Sequence, residues 1–235
     1  MIQPQWILYS DNHLLAISKP AGMLTQDSGS GEENLEDMAR QWVAKERNKP
    51  GNVFLHAVHR IDRDVSGVVL FACTSKALSR LNSQMQQRRG EKKYWAIVEG
   101  ILPERQGNFV HWLIHGDHRA EKTKAGESGA KECHLTYTVR SSRSGLTLVE
   151  IALITGYYHQ IRAQFAAQGH PIAGDKKYQA KMPLPPHHIA LHHRKLTVVH
   201  PTHRTPISFR APIPSWWYSA FPKTILAPLK ITNTT

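Results

Sequence analysis

The sequence holds 235 residues, 40% of them hydrophobic, which fits one large domain with a real core. Thirty Lys and Arg against eighteen Asp and Glu leave a formal net charge of +12, and such an excess draws a polyanionic partner. The longest apolar run, Val68 to Cys73, is too short to span a bilayer, so no membrane partner is expected. Met1 to His13 lacks the basic-then-apolar order of a secretory signal, and Cys73 and Cys133 stand in no metal-like spacing, which together suit a reducing cytoplasm.

In chain order, Trp6 to Tyr9 and Leu14 to Ser18 read as two short strands around the turn-forming Ser10-Asp11-Asn12, and Lys19-Pro20-Ala21-Gly22 then breaks regular structure. Asn34 is placed to cap a helix to about Arg47, with Leu35, Met38, Ala39, Trp42 and Val43 on one face. Gly67 to Ala72 is a β-branched apolar run, the pattern of a buried strand, and Ser75 is expected to cap a second helix to about Arg89. Further strands are predicted at Tyr94 to Glu99, Asn108 to His115, His134 to Arg140, Leu146 to Ile154, Leu191 to Val199 and Ile207 to Arg210, and a helix over Tyr158 to Gln168 ended by Gly169. The polar stretch His115 to Lys131 reads as a mobile loop. Many strands and few helices, out of regular alternation, predict an α+β fold on a mixed, largely antiparallel sheet. The expected division is a catalytic domain over residues 1–212, with 213–235 as a tail folded back on it and fraying near Thr235.

The densest chemistry lies in His59-Arg60-Ile61-Asp62-Arg63-Asp64-Val65-Ser66-Gly67, where two carboxylates sit among two arginines and a histidine at the mouth of an apolar strand. Neighbouring arginines favour an ionised carboxylate, and an ionised Asp suits attack on, or stabilisation of, a sugar C1′ during glycosidic bond cleavage. A structural ion-pair cluster at a strand edge would give the same charge pattern.

This segment resembles the HRLDRxTSG signature of RluA-type RNA pseudouridine synthases, and four others follow in family order. Lys19-Pro20-Ala21-Gly22 resembles the KPxG turn, and Lys93 to Gly100 is similar to the KxYxAxVxG strand. Leu153 to Arg162 resembles LxTGRxHQIR, and His170 to Tyr178 resembles HPIxGDxxY. The resemblance implies a cofactor-free isomerase that breaks the N1–C1′ bond of a flipped-out uridine in ribosomal or transfer RNA and rejoins the base through C5. It places Asp62 on the catalytic aspartate, Tyr94 on a tyrosine that stacks near the base and removes a proton, and Arg162 on an arginine that pairs with the aspartate. Ile161 falls on the apolar wall of the uridine pocket, while His59, Arg60, Arg63, Tyr157, His159 and Gln160 fall on the substrate-binding side. A monomer is expected.

Two positions depart from the family pattern: Tyr157 stands where Arg is usual, and Gln164 where His is frequent. The first is expected to exchange a charged RNA contact for a ring. His187, His188, His192, His193, His200 and His203 raise zinc, and Asp62 with Asp64 raises Mg²⁺, but the histidines have no cysteine or carboxylate in ligand spacing nearby and arginines flank the aspartates. No metal is expected. Two alternatives stand beside the enzyme: a catalytically silent RNA-binding or ribosome-assembly factor of the same fold, and a metal-dependent hydrolase.

Overall fold

The structure, a computed structural model, describes residues 1–48 and 51–226. In chain order its strands and helices are β1 (Ile7–Ser10), β2 (Leu14–Lys19), α1 (Leu35–Glu46), β3 (His56–Ala57), β4 (Ser66–Ala72), α2 (Ser75–Gln86), β5 (Glu91–Glu99), β6 (Gln106–His115), β7 (Ala120–Thr123), β8 (Lys131–Arg143), β9 (Leu146–Leu153), α3 (Gln160–Ala166), β10 (Leu191–Val199), β11 (Pro206–Arg210), α4 (Ser215–Ala220) and α5 (Lys223–Leu226). The class is α+β, with antiparallel pairing dominant. Two compact units emerge: Met1–Lys92 with His193–Pro212, and Lys93–His192 with the segment from Ile213.

In the first unit β4 is buried along its whole length, as a continuous Val-Val-Leu-Phe run requires. It pairs antiparallel with β2 from Leu14↔Ala72 to Lys19↔Gly67. The register sets the start of the Lys-Pro-Ala-Gly turn directly opposite the end of the Asp62 loop. Between β1 and β2, Asp11 accepts the backbone N–H groups of His13 and Leu14, both at 2.7 Å, which makes the predicted turn. Asn34 caps α1 by accepting from Asp37 N at 3.0 Å, and Leu35, Met38, Ala39 and Val43 form its buried stripe. The cap of α2 is Thr74, one residue earlier than expected: its backbone is extended and its hydroxyl accepts from Ala77 N, which leaves Ser75 inside the first turn. Alternate residues Leu14, Ala16, Val68 and Leu70 pack with Leu81, Leu196, Val198 and Phe209 into one core.

In the second unit the strand order is β5-β9-β8-β6-β7. The stretch expected to be a mobile loop contains β7, which pairs with β6 from His115↔Ala120 to Trp112↔Thr123. Ala120 is buried, and the Tyr178 hydroxyl satisfies both its N–H (2.8 Å) and its C=O (3.0 Å), so a polar sequence is held as a strand from outside. α3 is shorter than predicted because His159 is left-handed, with φ 52°, and the helix cannot extend back through it. From Ile213 the chain makes α4 and α5, and Trp217 is fully buried against Phe221. The expected fraying near Thr235 lies outside the described residues. Among the described residues no helix is long and apolar enough to cross a membrane.

One position carries the close approach of backbones in the first unit. Gly67 has φ +120°, and a Cβ there would lie 2.3 Å from the carbonyl oxygen of His193. Gly67→Ala is expected to destabilise the protein by about 2–4 kcal/mol, read as a lower urea midpoint. Gly126→Ala, at φ +87° with nothing within 4 Å, is expected to shift the midpoint much less.

Candidate active site

The Asp62 loop is strapped to the Lys-Pro-Ala-Gly turn. Lys19, only 1% exposed, donates to the carbonyls of Pro20 (3.0 Å), Met23 (2.7 Å) and Arg63 (3.0 Å). Three ammonium protons thus meet three acceptors. Gly22 N donates to Arg63 O at 2.9 Å, and Arg63 Nε returns a bond to Gly22 O at 3.2 Å. Thr25 Oγ1 donates to Ile61 O at 2.9 Å, and Val65 N closes a turn on Asp62 O at 3.1 Å. Both neighbours of Asp62 in the chain are therefore fixed by hydrogen bonds, while its carboxylate is half-buried. Burial pushes the Lys19 amine down to about 7 from 10.5, against the attraction of Asp62 and Asp64. Arg63 pairs with Glu32 at 2.7 Å, and Arg60 is exposed.

Behind this loop lie two neutral imidazoles. His59 Nε2 accepts from Leu70 N at 3.3 Å, and its ring meets His193 edge-on at 5.3 Å. Burial, then the neighbouring His193 and Lys92, holds His59 well below its ordinary value. Burial lowers His193 to about 3, and its Nδ1–H donates to Val68 O at 2.7 Å. The rings brace β4, and the sequence reading of His59 as a substrate contact did not foresee that task.

In the second unit α3 carries a closed polar network. Arg162 is 4% exposed and Asp175 1%, and they form a bidentate pair, Nε–Oδ2 2.6 Å and NH2–Oδ1 2.8 Å. The third Arg162 nitrogen donates to His159 Nε2 at 2.7 Å, which leaves Nδ1–H of that ring to donate to Tyr178 Oη at 3.2 Å. The guanidinium also lies 5.3 Å from the centroid of the Tyr178 ring. Gln160 accepts from Thr155 (2.9 Å) and Tyr157 N (3.1 Å) and donates to His134 O (3.1 Å) and Gln164 Oε1 (3.0 Å). Gln164, fully buried, donates to Cys133 O at 3.0 Å and Phe109 O at 3.2 Å. Its side chain thus ties the helix to β6 and β8. Ile161 and Tyr94 are buried, and Tyr157 is 41% exposed.

The structure gathers His59, Arg60, Asp62 and Arg63 on one loop of the first unit, and His159, Gln160, Ile161 and Arg162 on one helical turn of the second. Lys19, Asp175 and Tyr178, which hold these segments in place, were not singled out from the sequence. Each lay inside a recognised motif, but nothing in linear spacing pairs Arg162 with Asp175 or Lys19 with Arg63. Of the histidines read for metal, His200 and His203 group with Asp11 among the described residues. His200 Nε2 is already bonded to Asp11 at 2.8 Å, and its Nδ1 accepts from Thr202 N and His203 N. The trio fits a braced turn rather than a metal centre.

A half-buried aspartate in a strapped loop, on an antiparallel α+β frame, is the candidate reactive group of this site. The fold is shared with the solved structure of human RNA pseudouridylate synthase domain containing 4, with a TM-score of 0.77 over 97% of this chain and 94% of that one at 22% identity. The RNA pseudouridylate synthase family matches residues 13–167. Relatives include an uncharacterized RNA pseudouridine synthase, YhcT, of Bacillus subtilis, 32% identical over 89% of this chain and 68% of that protein. Another is the dual-specificity RNA pseudouridine synthase RluA of Pasteurella multocida, 33% identical over 88% of this chain and 92% of that protein. The chain belongs to the RNA pseudouridylate synthase family, whose members are isomerases.

Asp175→Asn removes the bidentate counter-charge of a buried guanidinium and is expected to cost about 3–5 kcal/mol in chemical denaturation. Glu121→Gln, in the exposed pair with Arg119, is expected to cost no more than about 1 kcal/mol. For Lys19 the folded value, about 7, lies below the unfolded 10.5. Between those values the unfolded chain binds the extra proton, so this group's penalty is complete below the lower value and is relieved as pH rises. The stability of the unaltered protein minus that of Lys19→Met should therefore climb from pH 7 to 9, by up to about 1.4 kcal/mol per unit. A flat difference would mean the ammonium keeps its proton throughout.

Proposed function

We propose that the protein converts a uridine of ribosomal or transfer RNA to pseudouridine, with Asp62 as the carboxylate that acts at C1′. The N1–C1′ bond breaks, the uracil turns, and a C5–C1′ bond forms. One proton leaves C5 and one is gained at N1, so every atom is conserved and no redox partner or energy source is consumed. Tyr94 is assigned as the group that stacks near the base and takes the C5 proton, and Ile161 as an apolar wall for the ring. Arg162 supplies a fixed positive charge whose direction Asp175 and His159 set. Arg60, Arg63 and Tyr157 are assigned to the RNA strand, together with His59, His159 and Gln160 acting mainly through the backbones and side chains they brace.

The observation that carries this reading is the strap on Asp62. Hydrogen bonds to Ile61 and Arg63 fix the backbone on both sides of one half-buried carboxylate. A purely binding surface has no need of so narrowly held an acid, whereas a group that must meet one carbon atom does.

Asp62→Asn changes charge and hardly changes volume. In a single-turnover assay on RNA extracted from a strain lacking the gene, it is expected to lower pseudouridine formation by at least about 100-fold. Its melting temperature and RNA affinity should stay near those of the unaltered protein. A variant that keeps a substantial part of the rate would remove Asp62 from the chemistry.

A further inference from the structure

We propose that His115 and Tyr158 form a stacking platform for an unpaired nucleotide of the substrate RNA, outside the residues that handle the reacting uridine. The Tyr158 ring lies flat on His159, with centroids 3.8 Å apart and planes 17° apart. His115 at the end of β6 continues the column at 4.6 Å and 41°. The column thus passes from a buried imidazole through a ring 38% exposed to a histidine on the surface. Its inner end is anchored by Arg162 and Tyr178. Tyr158 cannot swing away freely, because its hydroxyl donates to His118 O at 3.1 Å. The same carbonyl accepts Lys177 Nζ at 2.9 Å, which brings an exposed ammonium to the rim.

Three properties point to a nucleotide. The column ends in an exposed aromatic ring, the kind of side chain on which single-stranded bases stack. The cation Lys177, which shares the His118 carbonyl with Tyr158, is exposed and suits a phosphate backbone, as does the net +12. The inner part of the column is also ordered in advance, since the hydrogen bonds that set the Tyr158 and His159 rings are already made, so little of their rotamer freedom remains to be lost on binding. A base paired within a duplex presents no free face, so the occupant is an unpaired nucleotide.

This rests on the reading that RNA is the substrate, and the test separates the two. A fluorescein-labelled single-stranded RNA and the same sequence as a perfect RNA duplex are titrated by anisotropy, alongside pseudouridine formation. Replacing His115 by Ala is expected to weaken single-strand binding about 5- to 100-fold. His115→Trp should restore it, and duplex binding should change little in either. Lys177→Gln should flatten the salt dependence of single-strand binding by about 0.7 log units per log unit of salt. Both positions are exposed, and unaltered melting curves check that the variants fold. If His115→Ala binds the single strand as the unaltered protein does, while that protein binds and modifies RNA, the platform is refuted and the activity stands. If the unaltered protein neither binds nor modifies RNA, both readings fall together.

Discussion

The buried Lys19 ammonium is the constraint on which the candidate catalytic loop depends. An ammonium withdrawn from water is costly unless every proton finds an acceptor, and here three carbonyls from two segments supply them. One of those carbonyls belongs to Arg63, next to Asp62, so satisfying the charge also sets the acid. The β2–β4 register makes this possible by placing Lys19 opposite Gly67, where only a glycine leaves room for the neighbouring His193 backbone. A single buried cation thereby converts a pairing register into the position of a carboxylate.

The second unit solves the matching problem with a guanidinium. Arg162 projects from a helix of seven residues, too short to be stable alone, and is locked by partners on other segments. Its neighbour His159 pays a left-handed backbone to accept from it and to reach Tyr178, which in turn seals both polar groups of Ala120. Orientation of the helix, attachment of β7 and the direction of the guanidinium are therefore one connected hydrogen-bond system. Such a network resists partial disruption, because each member left unsatisfied is itself buried.

The same network explains one departure from the family motif. Gln164, where histidine is frequent, is wholly internal: its amide joins two carbonyls and accepts from Gln160, a set that one imidazole could not satisfy in full. This substitution bears on internal packing. Tyr157 differs in kind, since its ring is open to solvent while its backbone N–H serves the helix start. A change of side chain there meets solvent and not the core.

The sequence by itself determined the class of fold, the family and most element positions, because those rest on local signals. The apolar run of β4, the Asn34 cap of α1 and the Asp11 turn each act over a few residues. The position of the α2 cap slipped by one because Thr74 and Ser75 are chemically alike, and only backbone conformation separates them. His115 to Lys131 looked mobile because β7 is polar and short, and what holds it is a tyrosine 58 positions away. The partners of Arg162 and Lys19 were likewise decided in three dimensions, 13 and 44 residues off in the chain. Motifs named the candidate side chains, but only the tertiary structure could say which charge answers which, since burial creates that demand and the folded chain alone brings the answer within reach.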